Sequence, residues 1–312
     1  MKQKLQSRIT QLSIGLDIND HHLSNLRFAD DILLLATSQD DAICMLEILV
    51  LELEEIGLIL NPNKTKMLTT EFHDHDHVFL QNGSKIDVIR DFASHKWLGK
   101  AICFTKGGIH SHAIESRIAA ATRAFYAKKH ILCAKHVPIC ARLRYSNSTI
   151  SQIACFAGSS TTLTRHDCHK LDVAFRSLAR KVVGHPASWD YTRPYHELLH
   201  AQHQRLTHFC NQSKISSWSS IARTRQWQFV GKMMSGKSCK WCFQLFHWIL
   251  SGSRVRGRPR MRFQDQFDQY WYHMKSIARA ANSPIRDHWI DVIHDHQQWA
   301  KHLPPFLEYH AI

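Results

Sequence analysis

Two adjacent carboxylates, Asp30 and Asp31, are the residues of this chain whose type and spacing point most directly to chemistry. They interrupt the apolar stretch LRFADDILLLA at residues 26–36, where two like charges side by side are unfavourable unless something compensates for them. Carboxylate oxygens are hard ligands, and Mg²⁺ is commonly bound by one or two carboxylates together with substrate phosphates. The pair therefore indicates a divalent-metal site, and an ordinary acidic turn between two strands is the alternative.

The segments around this pair must position it. Residues 26–28 and 32–36 read as two short strands, which predicts a hairpin with the carboxylates at its tip. A helix is predicted next, because Ser38 can cap it, acidic residues follow in its first turn, and apolar residues recur at helical spacing. Gly57 is its predicted end, and the helix is expected to pack against the sheet.

Two regions of different periodicity make up the rest of the chain. Strand-like runs dominate first, and Asn82-Gly83 predicts a hairpin between two of them. The predicted strands lie at 15–18, 58–61, 67–70, 78–80, 86–89, 97–99 and 101–104. The predicted helices lie at 110–135, 163–183, 194–210, 216–234, 261–280 and 285–301. Residues 235–260 are rich in Ser, Gly, Lys and Arg, which predicts a loop or linker. The predicted fold class is therefore α+β, with a boundary near residue 106.

The charge of the chain is unevenly distributed. The formal net charge is +14 over 312 residues, but residues 1–100 carry 10 Lys/Arg against 15 Asp/Glu, while residues 101–312 carry 30 against 11. An acidic part followed by a strongly basic part indicates a partner with a phosphate backbone. A basic surface that only aids solubility is the alternative.

One arginine run concentrates this charge. Arginines alternate with Gly257, Pro259 and other residues, which suits an extended row of cations along a phosphate backbone. A solvated linker is the alternative. The predicted nucleic-acid-binding residues are Arg254, Arg256, Arg258, Arg260 and Arg262.

Cysteine and histidine patterns favour no built metal site. Cys239 and Cys242, with His247 beyond, have the opening spacing of a zinc site, but no second close pair follows. Alternating histidines at 73, 75 and 77 could share one face of a strand, although a polar loop is favoured. Nine scattered cysteines fit a reducing compartment.

Several segments, in this order, resemble the reverse transcriptases of non-LTR (LINE-type) retrotransposons. LRFADDILLLA resembles the acidic-pair hairpin of that family, and GLILNPNKTKML is similar to its Gly-Leu-x-x-Asn-x-x-Lys-Thr segment. HKWLGKAI resembles the primer-grip hairpin, and GGIHSHAIESRIAAATRAF the thumb helix that follows. FAGSSTTLTRHDCHKLDVAFRSLARKVVG and RGRPRMRFQDQ are similar to two later segments, although Phe156 and Thr162 replace the aromatic ends of the first. Together the matched segments span about residues 24–268.

The resemblance implies an RNA-directed DNA polymerase that uses two Mg²⁺ or Mn²⁺ ions for nucleotidyl transfer, with an RNA template and a DNA primer as partners. It implies that Asp30 is a metal ligand and that Asp31 supports it. Lys64 would neutralise or protonate the departing pyrophosphate. The primer grip would be Trp97, Leu98 and Gly99.

By the same resemblance, residues 1–106 form a partial polymerase palm, an antiparallel sheet with a packed helix. Residues 107–234 form a helical thumb or connection region, and residues 235–312 a basic linker with C-terminal helices. The family carries a further metal-binding aspartate and the fingers well upstream, whereas 29 residues precede Asp30 here. The expectation is an N-terminally truncated remnant that does not polymerise by itself.

Two other interpretations remain open. The chain could be a non-enzymatic basic module that binds RNA or DNA through its helical half, or an expressed fragment with no selected role. Glutamates interrupt the longest apolar run, at 42–60, and the first residues lack the apolar core of a secretory signal. We therefore expect an intracellular protein, nuclear or cytoplasmic, that does not span a membrane; its oligomeric state is open.

Overall fold

The computed structural model describes residues 12–69, 76–89, 94–102, 109–185, 192, 194–237, 240–248, 262–280 and 288–311. Two compact units divide the chain, the first made mainly of the residues up to Ile109 and the second beginning at His110. Small sheets and helices occur together, which confirms the predicted α+β class. The assignment of the first unit to a polymerase palm stays a prediction.

The first unit is built from short strands and one long helix. Its strands are β1 (Leu16–Ile18), β2 (His21–Leu23), β3 (Asn25–Phe28), β4 (Asp31–Leu34), β5 (Lys66–Leu68), β6 (His77–Phe79), β7 (Lys85–Ile89), β8 (His95–Trp97) and β9 (Lys100–Ile102). Strands β1–β2, β3–β4 and β8–β9 form antiparallel hairpins, and β7 lies between β5, to which it is parallel, and β6, to which it is antiparallel. The hairpin expected around Asn82-Gly83 is confirmed by the β6–β7 pairing.

The long helix of this unit, α1 (Gln39–Glu54), begins as the sequence predicts. The Ser38 hydroxyl accepts a hydrogen bond from the Asp41 backbone N–H at 3.1 Å, which satisfies one of the unpaired N–H groups of the first turn. The buried face of α1 joins Met67, Val78 and Ile86 in one apolar core, so the expected packing of helix on sheet is confirmed.

The strand predicted at 58–61 is wrong. The backbone N–H of Leu58 donates to the carbonyl of Leu53 at 2.9 Å and closes the end of α1 instead of joining a sheet. Ile59 is 91% exposed, so this apolar run has no partner strand within the described residues. Gly57, at φ 73°, makes the left-handed turn that favours glycine after a helix.

The second unit is helical. Its helices are α2 (Ile109–Ala127), α3 (Lys129–Leu132), α4 (Ile139–Ala154), α5 (Arg165–Val183), α6 (Tyr195–Ser213), α7 (Trp218–Lys232), α8 (Lys240–His247), α9 (Asp265–Ala280), α10 (Trp289–Val292), α11 (His296–Lys301) and α12 (Leu303–Tyr309), with a 3₁₀ turn at Gly158–Ser160 and a π turn at Met233–Lys237. The helix predicted at 110–135 is divided between α2 and α3, and α4 was not predicted. The linker predicted at 235–260 is wrong for residues 240–247, which form α8.

Two apolar cores hold this unit together. The first joins residues of α2, α4, α5, α6 and the start of α7 around Phe125, Leu143 and Trp218. The second is rich in aromatic rings and joins α7 to the C-terminal helices around Trp227, Phe267 and Trp299. Large aromatic side chains bury much apolar area, so these clusters dominate the stability of the unit.

Candidate functional site

Asp30 and Asp31 lie at the tip of the β3–β4 hairpin, as the sequence predicts. The register pairs Phe28 with Asp31, which leaves Ala29 and Asp30 as a two-residue turn. Ala29 adopts a left-handed conformation with φ 53°, which reverses the chain tightly. The two aspartates are therefore consecutive residues on one bend, Asp30 in the turn and Asp31 at the start of β4.

The base of the hairpin is half-buried while its tip is exposed. Ile32 and Leu34 pack against the core beneath α1, and the Leu35 N–H donates to the Ser24 carbonyl at 2.8 Å, which continues the pairing. Phe28 is 63% exposed and both aspartates are exposed. Water therefore screens the repulsion between the two carboxylates, and neither needs a buried partner.

The donor set at this tip fits a hard divalent cation. It offers the oxygens of two adjacent carboxylates, a ligand type that Mg²⁺ and Mn²⁺ accept together with several waters. Among the residues that the structure describes, no set of three or more His, Cys, Asp and Glu side chains could hold a metal ion. The carboxylates Asp30 and Asp31 thus form a two-residue candidate site that requires other oxygens to complete a coordination shell.

Lys64 lies in the turn Pro62–Lys64 between α1 and β5. Its backbone N–H donates to the Asn61 carbonyl at 3.2 Å, and its side chain is exposed. Within the described segments, no hydrogen bond or ion pair joins Lys64 to Asp30 or Asp31. Its predicted role in pyrophosphate release stays a prediction.

The predicted primer grip is a hairpin. Trp97 ends β8 and pairs with Lys100 of β9, and the turn between them is Leu98-Gly99, with φ 46° and 78°. Two consecutive left-handed residues are typical of the type I′ turn that matches the twist of a hairpin. The Trp97 indole N–H is buried without an acceptor among the described atoms. Burial also lowers the pKa of the Lys100 ammonium. These features place a bulky aromatic and a cation side by side, but they do not test primer binding.

The arginine run lies largely outside the described residues. Arg254, Arg256, Arg258 and Arg260 fall in the part that the structure does not describe. Arg262 is described and is engaged with Asp265 near the start of α9, through a side-chain ion pair at 2.9 Å and a backbone N–H donated at 2.6 Å. Phosphate binding by the run stays a prediction, and Arg262 would have to leave Asp265 to take part in it.

The weaker cysteine and histidine patterns are only partly described. Cys239, His73 and His75 lie outside the described residues, whereas Cys242 and His247 belong to α8. The ring Nδ1 of His77 lies 3.2 Å from the carboxylate of Asp87, which also accepts from Lys66. His77 therefore has a structural partner on the neighbouring strand.

Sequence reasoning missed a cluster of an aromatic ring and two lysines in the second unit. The Lys181 ammonium at the end of α5 donates to the hydroxyl of Tyr126 on α2 at 2.7 Å. Tyr126 is 50% exposed, and both Lys129 and Lys181 are exposed. The spacing of Arg123, Tyr126 and Lys129, three residues apart on a helical segment, was the available signal.

Comparison with known proteins finds a relative described as transposon-derived. The chain is similar to this Caenorhabditis elegans protein, with 24% identity over 289 residues that cover 90% of this chain and 95% of that protein. No protein family and no solved structure matches the chain. The likeness extends over nearly the whole of both chains and fits a retroelement origin.

A helix that crosses a bilayer must be long and largely apolar. None of the described helices combines enough length with enough apolar character to cross a membrane.

Proposed function

We propose that this chain derives from the reverse transcriptase of a non-LTR retrotransposon, and that its acidic hairpin retains a weak site for Mg²⁺ or Mn²⁺. The observation that carries the proposal is the β3–β4 hairpin, which presents Asp30 and Asp31 on a two-residue bend above a buried helix-and-sheet core. The likeness to a transposon-derived protein supports a mobile-element ancestry.

We propose further that the chain by itself does not extend a primer. Nucleotidyl transfer by two metal ions requires enough ligands to fix both ions beside the reacting oxygens. Asp30 and Asp31 supply two adjacent carboxylates, and no third His, Cys, Asp or Glu side chain joins them in the described part of the chain. The hairpin can therefore bind a cation without positioning two of them.

Mn²⁺ titration followed by electron paramagnetic resonance tests the metal site. We expect a dissociation constant on the order of 1 mM, because the site offers few protein ligands. Asp30→Asn should weaken binding about tenfold, because it removes one of the two adjacent carboxylates. The matched control is Asp20→Asn, since Asp20 is a single carboxylate at the tip of the β1–β2 hairpin, with φ 62°.

Two outcomes of that titration would contradict the metal site. Equal loss of affinity in the Asp20 and Asp30 variants would show only general attraction of cations to an acidic unit. A metal site that survives both Asp30→Asn and Asp31→Asn would lie elsewhere.

A primer-extension assay with Mg²⁺, primed RNA and dNTPs tests the proposal that the chain by itself does not extend a primer. Extension that is abolished by Asp30→Asn would overturn that proposal.

A second function, binding of RNA or DNA by the helical unit, is favoured by the charges at residues 109–185. This segment carries 12 Lys/Arg and 3 Asp/Glu. Each of the three carboxylates is engaged within the fold: Glu115 pairs with Lys170, Asp167 accepts from Thr164, and Asp172 accepts from Ser219. Most of the cations at residues 109–185 therefore have no carboxylate within the same segment to neutralise them, a condition that favours a polyanionic partner.

Salt dependence tests this second function. Binding of an oligonucleotide through phosphate contacts should weaken linearly in log affinity with log salt. Replacing the arginines at 254, 256, 258 and 260 by alanine should reduce that slope if the run contributes. Affinity that does not change with salt would count against a phosphate-binding module.

A further inference from the structure

We propose that Tyr126, Lys129 and Lys181 form a binding surface for single-stranded nucleic acid, on which one base stacks against the Tyr126 ring while the two lysines contact the adjacent phosphates. This inference rests on the second function above, the binding of RNA or DNA by the helical unit. We call these three residues the tyrosine surface.

The position of the Lys181 ammonium leaves the tyrosine ring available for stacking. Its Nζ lies 2.7 Å from the Tyr126 hydroxyl but 5.0 Å from the ring centroid, so it sits beyond the hydroxyl and not above the ring. Phe125, which is buried, contacts Tyr126 edge-on with ring planes at 89°. Half of Tyr126 remains exposed, and a stacking base requires an accessible aromatic face.

In a second aromatic–cation pair of the same unit, the cation lies closer to the ring. Phe156 is 47% exposed, but the Arg117 guanidinium lies 4.4 Å from its ring centroid. That distance places the cation against the ring in cation–π contact. The Phe156 ring is therefore already partly covered, whereas the Tyr126 ring is fixed in place by a hydrogen bond at its hydroxyl.

The two lysines are suited to phosphate. Lys181 uses one of its three N–H donors on Tyr126 and keeps two for other acceptors. The hydrogen bond and the charge of Lys181 lower the pKa of the Tyr126 phenol, and the charge of Lys129, at the start of α3, lowers it further. Neither lysine forms an ion pair with a carboxylate in the part of the chain described here.

Hydrogen bonds from neighbouring helices hold the end of α5 in place, and with it the position of Lys181. The Arg142 guanidinium, 7% exposed, donates to the carbonyl of Val182 at 2.6 Å. The thiol of Cys133, at the end of α3, donates to the carbonyl of Lys181 at 3.4 Å. These contacts tie α3, α4 and α5 together beneath the tyrosine surface.

A single strand is the ligand that this chemistry favours. Its unpaired bases expose π faces that can stack on tyrosine, whereas the bases of a duplex are stacked on each other. Stacking on an aromatic side chain does not depend on base identity, and the exposed lysines read only phosphate. We therefore expect binding with little sequence preference.

Fluorescence anisotropy with the whole chain and labelled oligo(dT) and oligo(U) of about 12 nucleotides tests the surface. Tyr126→Ala should weaken binding by about tenfold, and Tyr126→Phe, which keeps the ring, by no more than about twofold. Lys129→Ala and Lys181→Ala should each reduce the salt slope by about 0.7. The matched control is Arg144→Ala, which removes one exposed cation from α4.

Two outcomes of the binding experiment would overturn the proposal. Equal affinity of Tyr126→Ala and wild type, with loss only in the lysine variants, would show a polyanion surface without stacking. Tighter binding of the matching duplex would exclude a single-strand surface. Circular dichroism identifies variants that do not fold. If Tyr126→Ala is one of them, the salt slopes of Lys129→Ala and Lys181→Ala decide: slopes equal to that of Arg144→Ala would overturn the proposal.

The tyrosine surface and the functions above can fail separately. If wild type binds oligonucleotide and all three surface variants bind equally well, the unit binds nucleic acid elsewhere and only the surface is wrong. If wild type does not bind at all, the second function fails together with the surface, while Mn²⁺ binding at Asp30 still tests the first.

Discussion

Trp227 and Trp299 stack face to face, with ring centroids 3.7 Å apart and ring planes at 8°, and each donates to the backbone carbonyl of the other. The Trp227 indole N–H lies 3.1 Å from the Trp299 carbonyl, and the Trp299 indole N–H lies 3.3 Å from the Trp227 carbonyl. Both rings are almost fully buried, so these bonds satisfy polar groups that would otherwise be costly. The pair fastens α11 to α7 across 72 residues of chain.

Gly231 permits this stacking, and Gly231→Ala should destabilise the second unit. A Cβ at this position would lie 2.7 Å from Nε1 of Trp299, too close for an ordinary contact. We expect a loss of about 1–3 kcal/mol in the free energy of unfolding, measured with urea. Lys232→Ala, exposed on the same helix, is the control. If Gly231→Ala instead stabilises the unit by about 1 kcal/mol, as helix propensity alone predicts, the tight contact is absent.

A buried arginine organises the same region. Arg223 is 3% exposed and donates to the carbonyl of Leu163 at 2.8 Å, to the side-chain oxygen of Gln266 and, more distantly, to the Cys168 sulfur at 3.7 Å. Gln266 also accepts from the Leu163 N–H at 3.2 Å. One guanidinium thus joins α7 and α9 to the segment before α5.

Arg223→Met should therefore lower the free energy of unfolding by about 2–4 kcal/mol, because the Leu163 carbonyl loses its buried donor and the Gln266 oxygen keeps only the Leu163 N–H. Arg223→Lys should recover only part of the loss, since an ammonium cannot reproduce the planar fork of donors. Urea unfolding provides the measurement. The exposed Arg144→Ala should change stability by less than about 0.5 kcal/mol. Equal stability of the methionine variant and wild type would contradict this account.

The signals that predicted the first unit correctly are local. Ser38 caps α1 through a residue three positions away, and the turn at Ala29-Asp30 sets the register of its own hairpin. Local signals of this kind fix an element regardless of what it packs against. The hairpin tip that carries Asp30 and Asp31 was predictable because the two residues are adjacent, and metal binding there stays a prediction.

The elements that the sequence did not reveal depend on distant partners. Helix α4 buries Arg142 and Ser151 on its inner face, and these polar residues interrupt the apolar period that identifies a helix. They are tolerated because Arg142 donates to Val182 and Ser151 accepts from the indole of Trp218, 67 residues away. No local sequence pattern predicts hydrogen bonds between residues so far apart in the chain.

The tyrosine surface follows the same rule. Tyr126 and Lys181 are separated by 55 residues, so the helical spacing around Tyr126 shows a basic face but not the lysine that meets its hydroxyl. The strand predicted at residues 58–61 is wrong for the opposite reason. Their apolar composition suits a strand, but a strand also needs a neighbour to pair with, which sequence composition does not supply.

The stability of the second unit should fall in mild acid because of His310. Burial, reinforced by the positive charges of Arg223 and Arg165, lowers the pKa of this imidazole from 6.5 to about 3, although a bond to the Gln266 backbone opposes the shift. The unfolded chain therefore takes up the proton first. The stability that neutral His310 contributes is complete above about pH 6.5 and is lost as the pH falls towards 3.

The measurement is urea unfolding at about pH 7 and about pH 5, where wild type should lose on the order of 1–2 kcal/mol through this residue. His310→Asn removes the titrating group and should lose less over the same interval. Burial also lowers the pKa of His302, so part of the pH dependence should persist in the variant. The exposed His196→Asn is the control, and an equal pH dependence in all three proteins would contradict the assignment.

The bend that carries the candidate metal ligands can be tested at Ala29. A non-glycine residue at φ 53° costs about 1–2 kcal/mol, so Ala29→Gly should be neutral or stabilising by up to about 1 kcal/mol after the unfolded-chain entropy is subtracted. Ala29→Val, with its branched side chain, should destabilise the hairpin by about 1–2 kcal/mol. Hydrogen exchange at the Leu35 amide, which donates to Ser24, reports the change in hairpin stability.

Because the bend at Ala29 also sets the separation of the Asp30 and Asp31 carboxylates, the Ala29→Val variant should bind Mn²⁺ more weakly than the Ala29→Gly variant. The reverse order in either measurement would show that Ala29 does not form this turn.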